Sequence, residues 1–165
     1  MERPAGGLRG FHRRFAQVVS AISAALISLA VAAPLLEAGR VPVAEPIYRL
    51  LRLICHQLPS RSPMIQGSNA GLCFRCMAIY AALALGTVLP LSTVVRPLRS
   101  VFDGISRLTL SQAVVLIASL LIMVLTLDGL SPILGWPLST NPRRVITGLL
   151  GGWAIASLLA MPRDT

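Results

Sequence analysis

The residues of this chain that can do chemistry are concentrated between Ile54 and Tyr80. This stretch holds all three cysteines and one of the two histidines, namely Cys55, His56, Cys73 and Cys76. Thiolates and an imidazole are the donor set of a tetrahedral zinc or iron–sulfur site, and a Cys-x-x-Cys pair is equally the raw material of thiol redox chemistry. The sequence therefore predicts a metal site or a redox-active group of thiols.

A metal site is the first hypothesis, with zinc as the first candidate and iron as the second. Cys73 and Cys76 have the commonest chelating spacing for zinc, and the chain from Cys55 can return to them through the intervening loop. Neighbouring residues on a regular helix point apart. His56 therefore binds the same ion only if the helix unwinds there, and otherwise it supports a ligand without touching the metal.

Thiol exchange is the second hypothesis. Four-helix membrane oxidoreductases, such as the disulfide-forming oxidases and the vitamin K epoxide reductases, also hold a Cys-x-x-Cys at a membrane boundary beside a quinone. Arg75 would favour a thiolate next to it, and Cys55 would be the third, exchanging thiol. The odd number of cysteines argues against this function, because those enzymes usually need two pairs. A structural or assembly subunit of a membrane complex, with a disulfide or buried thiols, is a third reading.

The composition indicates that these residues belong to a membrane protein. The chain is 55% hydrophobic and only 13% charged, whereas charged residues make up about a quarter of a soluble domain. A net charge of +9 would suggest nucleic acid in a soluble protein. Here the arginines lie between apolar runs, where they set topology and contact lipid headgroups. We expect a lipid bilayer as the partner and no nucleic acid.

Four apolar runs predict an all-α, polytopic four-helix transmembrane bundle, because each is about long enough to cross the hydrocarbon core. The predicted spans are residues 15–36, 76–95, 110–127 and 145–161, between a basic N-terminal tail (1–14) and a C-terminal tail (162–165). The segment between the first two spans is the Cys/His loop (37–75). Ala30-Val31-Ala32 resembles a cleavage site, so a signal peptide is an alternative to the first span.

A short amphipathic helix is predicted inside the Cys/His loop. Apolar residues recur at helical spacing from Ile47 to Leu58, with Pro46 in the first turn and Pro59 as the stop. This boundary places Cys55 and His56 on its last turn.

Two of the predicted spans carry small residues at every fourth position. These are Ala78, Ala82 and Gly86 in the second span, and Gly148, Gly152, Ala156 and Ala160 in the fourth. Such stripes allow helices to approach closely. We expect the two stripes to pack against each other, and they are also the surfaces through which a second copy or another membrane protein would bind.

Four spans place the Cys/His loop on the same side of the membrane as the polar segment from Asp128 to Arg144. A carboxylate at a membrane edge is costly unless it is paired, and a cation at a helix start faces an unfavourable dipole. We therefore predict a salt bridge between Asp128 and Arg144. Asn141, followed by Pro142, predicts the helix cap.

Further polar residues surround the cysteines. Arg61 and Arg75 would support the ligands or bind an anionic group, and Tyr80 would hydrogen-bond the site or anchor the helix at the interface. Four arginines precede the first span: Arg3, Arg9, Arg13 and Arg14. They favour a cytoplasmic N-terminus in the cell membrane and an extracytoplasmic Cys/His loop.

Several motifs together resemble a family of small multi-pass prokaryotic membrane proteins known only as a domain of unknown function. They are Cys-His-Gln-x-Pro-x-Arg-Ser from Cys55, Cys-x-Arg-Cys-x-x-Ile-Tyr from Cys73, Asp-Gly at 128–129, and Ser-Thr-Asn-x-x-Arg-x-x-Thr-Gly-x-x-x-Gly from Ser139. One departure is Ser131-Pro132, where the family pattern leads us to expect a Gln. The resemblance implies a multi-pass helical fold and no particular activity. No catalytic triad, phosphate loop or carboxylate pair is recognisable, so whether the protein is an enzyme is left open.

Overall fold

The protein is described from a computed structural model that covers residues 5–101, 109–131, 133–136 and 139–161. Its helices are α1 (Ala5–Ala38), α2 (Ala44–Arg52), α3 (Phe74–Gly86), α4 (Ser92–Val101), α5 (Leu110–Leu130) and α6 (Asn141–Leu159). Between α2 and α3 lie a 3-10 turn, Pro59–Arg61, and a small antiparallel hairpin of β1 (Met64–Ile65) and β2 (Ser68–Asn69). The prediction of a mainly helical protein is confirmed. Arg3 and the C-terminal tail (162–165) lie outside the described residues.

Among the residues that the structure describes, two helices are long and apolar enough to cross a membrane, Arg14–Ala38 within α1 and Leu110–Leu130. The predicted second span is divided, because α3 ends at Gly86 and the chain passes through Pro90 before α4. With 13 residues, α3 extends about 20 Å, which is shorter than a hydrocarbon core of about 30 Å. The four-span bundle therefore stays a prediction for the segments around α3 and α6.

Helix α1 starts before the predicted span. It begins at Ala5, so most of the segment expected to be a basic tail is helical. Near its other end, Pro34 has no N–H to give to the carbonyl of Ala30. The backbone N–H of Gly71 donates to that carbonyl instead, at 2.9 Å. An added Cβ at Gly71 would collide with Leu51 and approach the Ala30 backbone, so a glycine allows this close approach.

The two small-residue stripes pack against each other, as the sequence predicts. A Cβ at Gly148 would meet the Arg75 carbonyl and Ala78, and one at Gly152 would meet the Ile79 backbone. Helices α3 and α6 therefore touch almost backbone to backbone. This contact uses both stripes within one chain, and binding of a second copy through them stays a prediction.

Gly152→Ala should destabilise the protein. Alanine normally stabilises a helix interior by about 1 kcal/mol relative to glycine, but here the new Cβ would lie 2.6 Å from the Ile79 carbonyl oxygen. We expect a net loss of about 1–3 kcal/mol from overpacking, measured by thermal unfolding in detergent. Gly39→Ala is the control, because its Cβ would meet neighbours no closer than 3.6 Å. Equal stability of the two variants would contradict the close α3–α6 contact.

Candidate metal centre

The structure brings the three cysteine side chains into one group. The sulfur atoms of Cys55, Cys73 and Cys76 all lie within 4.8 Å of one another, and all three thiols are free. Tetrahedral zinc with Zn–S bonds of about 2.3 Å requires sulfur atoms about 3.8 Å apart. The group is therefore close to the spacing that a single ion needs. We call these three residues the thiol triad.

Two members of the triad are placed by the start of α3. Cys73 is the N-cap residue, with an extended backbone (φ −74°, ψ 162°), and Cys76 follows three residues later on the same face of the first turn. The backbone N–H of Cys73 donates to the sulfur of Cys55, at 3.2 Å. The helix start thus directs two thiols toward the third.

The triad favours a thiolate at Cys73. Hydrogen bonds from the thiols of Cys55 and Cys76 lower the pKa of the Cys73 thiol below its usual range, despite its burial. Arg75 contributes to this lower pKa through its backbone N–H. Its guanidinium is paired with the carboxylate of Asp128. The expectation that the charge of Arg75 activates a thiol is therefore not what this geometry favours. A thiolate is the form that binds metal ions and acts as a nucleophile.

Cys55 arrives from the other arm of the loop, beyond the end of α2. The sequence predicts Cys55 and His56 on the last turn of this helix, but α2 ends at Arg52, three residues before Cys55. The N–H of Cys55 still donates to the carbonyl of Leu51 at 3.0 Å. Leu51 is completely buried, and Cys55 packs in the same apolar cluster. Because this turn is buried, the Cys55 side chain points toward the apolar cluster.

The side chain of Gln57 joins the two arms of the loop. Its amide donates to the carbonyls of Tyr48 and Gly71, both at 2.9 Å, from a left-handed backbone with φ 51°. Tyr48 adds a hydrogen bond to the carbonyl of Asn69 at 2.7 Å. Burial, together with Glu37, raises the pKa of Tyr48 to about 12, so the phenol stays protonated and continues to donate. Sequence reasoning missed this role of Gln57.

His56 is not part of the thiol triad in this structure. Its side chain is exposed, and its ring nitrogens do not join the three sulfur atoms. Cys55 faces the apolar cluster, so the next residue along the chain points away from it. The triad therefore supplies three of the four predicted ligands.

Asp128 is the carboxylate around which the neighbouring charges are arranged. It lies near the end of α5 and is 1% exposed. Arg75, between the two cysteines of α3, donates to its Oδ2 and to its carbonyl, and Arg143 of α6 lies 2.8 Å from its Oδ1. Thr147 also donates to Oδ2, at 3.0 Å. This contact confirms that the Cys/His loop and the later polar segment meet.

The predicted salt bridge between Asp128 and Arg144 is wrong by one residue. Positions 143, 147 and 151 share the face of α6 that packs on α5, where a Cβ at Gly151 would meet Leu125. Arg144 instead lies one turn before Gly148, on the face that packs on α3, and it donates to Asn141 Oδ1 at 2.6 Å. Extending the glycine stripe back by one turn reaches Arg144. The stripe therefore already indicates that Arg144 faces α3 and that Arg143 faces α5.

The helix cap also differs from the prediction. Thr140 is the N-cap of α6, where its hydroxyl accepts from the N–H of Arg143, while Asn141 is the first helical residue. The Asn141 amide is used across the site, since its Nδ2 donates to the carbonyl of Ser60 at 3.3 Å. Tyr80 is half-buried against the apolar cluster around Cys55, and Arg61 is half-buried next to Ser60.

Comparison with known proteins gives a family and no activity. A family model described as "Predicted membrane protein (DUF2085)" matches residues 55–158. The chain is 30% identical over 109 residues to "Uncharacterized protein MJ1492" of Methanocaldococcus jannaschii, a match that covers 66% of this chain. The match spans 63% of that relative's length. No solved structure matches the chain.

Asp128→Asn should weaken the fold around the site. It removes the negative charge that faces Arg75 and Arg143, and it leaves a partly buried guanidinium without a counter-charge. We expect a loss of about 2–3 kcal/mol in the free energy of unfolding, measured by denaturant titration. Glu45→Gln is the matched control, since it breaks an exposed pair with Arg49 and should cost less than about 1 kcal/mol. Similar losses for both would contradict the central role of Asp128.

Proposed function

This chain belongs to the DUF2085 family of predicted membrane proteins, and we propose that its thiol triad binds one metal ion at the membrane boundary, zinc first and iron second. The observation that carries the proposal is the convergence of three free thiols from two separate segments to within 4.8 Å. Structural zinc sites commonly combine such a Cys-x-x-Cys pair with a distant ligand.

The protonation state of Cys73 also supports metal binding. Ligands must be deprotonated before a metal binds, and the surroundings of Cys73 already favour its thiolate, while the same contacts raise the pKa of Cys76, whose proton an ion would displace. The buried position of Cys55 keeps water from one side of the group. An ion held by these ligands would fix the end of the α2 arm to the start of α3, which is the role that Gln57 serves elsewhere in the loop.

The fourth ligand determines what kind of site this is. His56 is the candidate that the sequence supplies, and its exposed position means that the backbone around it must move before it can bind. A site with three protein ligands and an open fourth position is typical of catalytic metals, and a closed set of four is typical of structural ones. We propose the three-thiolate site, with His56 outside it, in an extracytoplasmic loop of a multi-pass protein.

Thiol–disulfide exchange is the second candidate, favoured by the thiolate at Cys73. A quinone-linked reaction needs an apolar pocket beside the thiols. One cavity among the described residues, of about 360 Å³, is lined by the other half of α3, by α4 and its preceding loop, and by α6, from Ala82 and Leu85 to Trp153. Its lining contains no cysteine, so this cavity does not lie against the thiols.

Elemental analysis of detergent-purified protein tests the proposal. Wild type and His56→Ala should each carry about one zinc or iron ion per chain, because the three thiolates supply the main ligands. Cys76→Ser should lose the ion, because a hydroxyl is a poor ligand for either metal. Ser62→Ala, at a buried hydroxyl in the same loop that bonds only the carbonyl of Leu58, is the control for the loop's fold.

Thiol counting on the same samples separates the two candidates. If the protein carries no metal and two of its three thiols are oxidised and reducible, the metal site is ruled out and exchange is favoured. Loss of the ion in His56→Ala would show instead that the loop rearranges to a four-ligand site.

A further inference from the structure

Positive charge exceeds negative charge beside the thiol triad. Four arginines converge there: Arg61, Arg75, Arg143 and Arg144. Within the described part of the chain, Asp128 is the one carboxylate that pairs with any of them, and it is shared by Arg75 and Arg143. Arg61 and Arg144 thus have no carboxylate within 4 Å among the described residues.

Asn141 brings these two arginines to the same place. Its Nδ2 donates to the carbonyl of Ser60, the residue before Arg61, and its Oδ1 accepts from Arg144 at 2.6 Å. Arg144 also lies on the α6 face that packs on α3, one turn before the glycine that touches the Arg75 carbonyl. The charges of Arg61, Arg75, a Cys73 thiolate and Asp128 all act on Arg144, the last from beyond ion-pair distance.

The burial of Arg144 makes the missing counter-charge costly. Only 7% of the residue is exposed, and its side chain has one neutral acceptor, the Asn141 amide. Arg61, on the loop side, is half-buried. Taking a guanidinium out of water is unfavourable unless an anion or several hydrogen bonds replace the lost hydration. The positive end of the α6 dipole adds to the cost.

One further donor nearby has no acceptor. The hydroxyl of Ser139 is buried, with 4% of the residue exposed, but it lies at hydrogen-bonding range of Asp128. The Nε of Arg75 is also buried and has no partner. Buried polar groups in proteins are nearly always hydrogen-bonded, so an unpaired guanidinium N–H beside uncompensated cations indicates a missing acceptor.

We propose that Arg61 and Arg144, at the start of α6, bind a phosphate-type oxyanion beside the thiol triad. Planar guanidinium groups match phosphate oxygens in pairs, and a helix N-terminus favours the same charge. The phosphate belongs either to a lipid headgroup or to a soluble phosphate, which share this chemistry. The site goes beyond the proposed metal function, because none of its ligands is a cysteine.

The test uses full-length protein in nanodiscs of neutral phosphatidylcholine. Inorganic phosphate is added at constant ionic strength, and binding is read from the shift in thermal unfolding. A parallel series replaces a fraction of the lipid by phosphatidylglycerol. We expect stabilisation of wild type in at least one series. Arg61→Gln and Arg144→Lys should each lower the affinity for the phosphate group by about tenfold or more, since each loses a charge-assisted, bidentate contact. Arg49→Gln, on an exposed pair with Glu45, should have no effect.

The two series identify the source of the phosphate, and Cys76→Ser separates this site from the metal. Stabilisation by inorganic phosphate supports a soluble ligand, and stabilisation by phosphatidylglycerol alone supports a lipid headgroup. Either effect should persist in Cys76→Ser even if that variant carries no metal. The proposal is overturned if neither series stabilises wild type, or if Arg61→Gln responds as wild type does. It is also overturned if Arg144→Lys changes only the metal content, because the arginines would then serve the thiolates.

Discussion

The pairing of the buried Asp128 with Arg75 and Arg143 is the interaction on which the polar end of this structure depends. A buried carboxylate is tolerated only with counter-charges and hydrogen-bond donors around it, and these come from α3 and α6. Since Arg75 lies between Cys73 and Cys76, the same ion pair fixes the turn that carries two of the three thiols. The charge pair thus links α5 and α6 to the thiol triad.

The close contact of α3 and α6 determines which side chains reach this centre. Glycines at 148 and 152 allow α6 to lie against the α3 backbone, so the rotation of α6 is set by packing rather than by charge. That rotation directs Arg143 toward Asp128 and Arg144 toward the start of α3. On the opposite side, the proline in α1 frees the Ala30 carbonyl for Gly71, which ties the Cys/His loop to the first helix.

The proposed metal and oxyanion sites are complementary in charge. Three thiolates with one divalent ion carry a net negative charge, and the arginines around them carry more positive charge than Asp128 neutralises. An oxyanion held by Arg61 and Arg144 would lie beside an ion that has three protein ligands.

Composition and motifs already determined the membrane setting, the helical class and the cysteines of the candidate metal site. Local periodicity also determined the pairing of the two small-residue stripes. The division of the second span at Gly86, the early end of α2 and the outward position of His56 depend on how the loop packs on α1, which no local pattern records. The choice of Arg143 over Arg144 as the partner of Asp128 was likewise decided only by the tertiary structure. Adjacent residues on a helix point about 100° apart, so the contact between α3 and α6 selects between them.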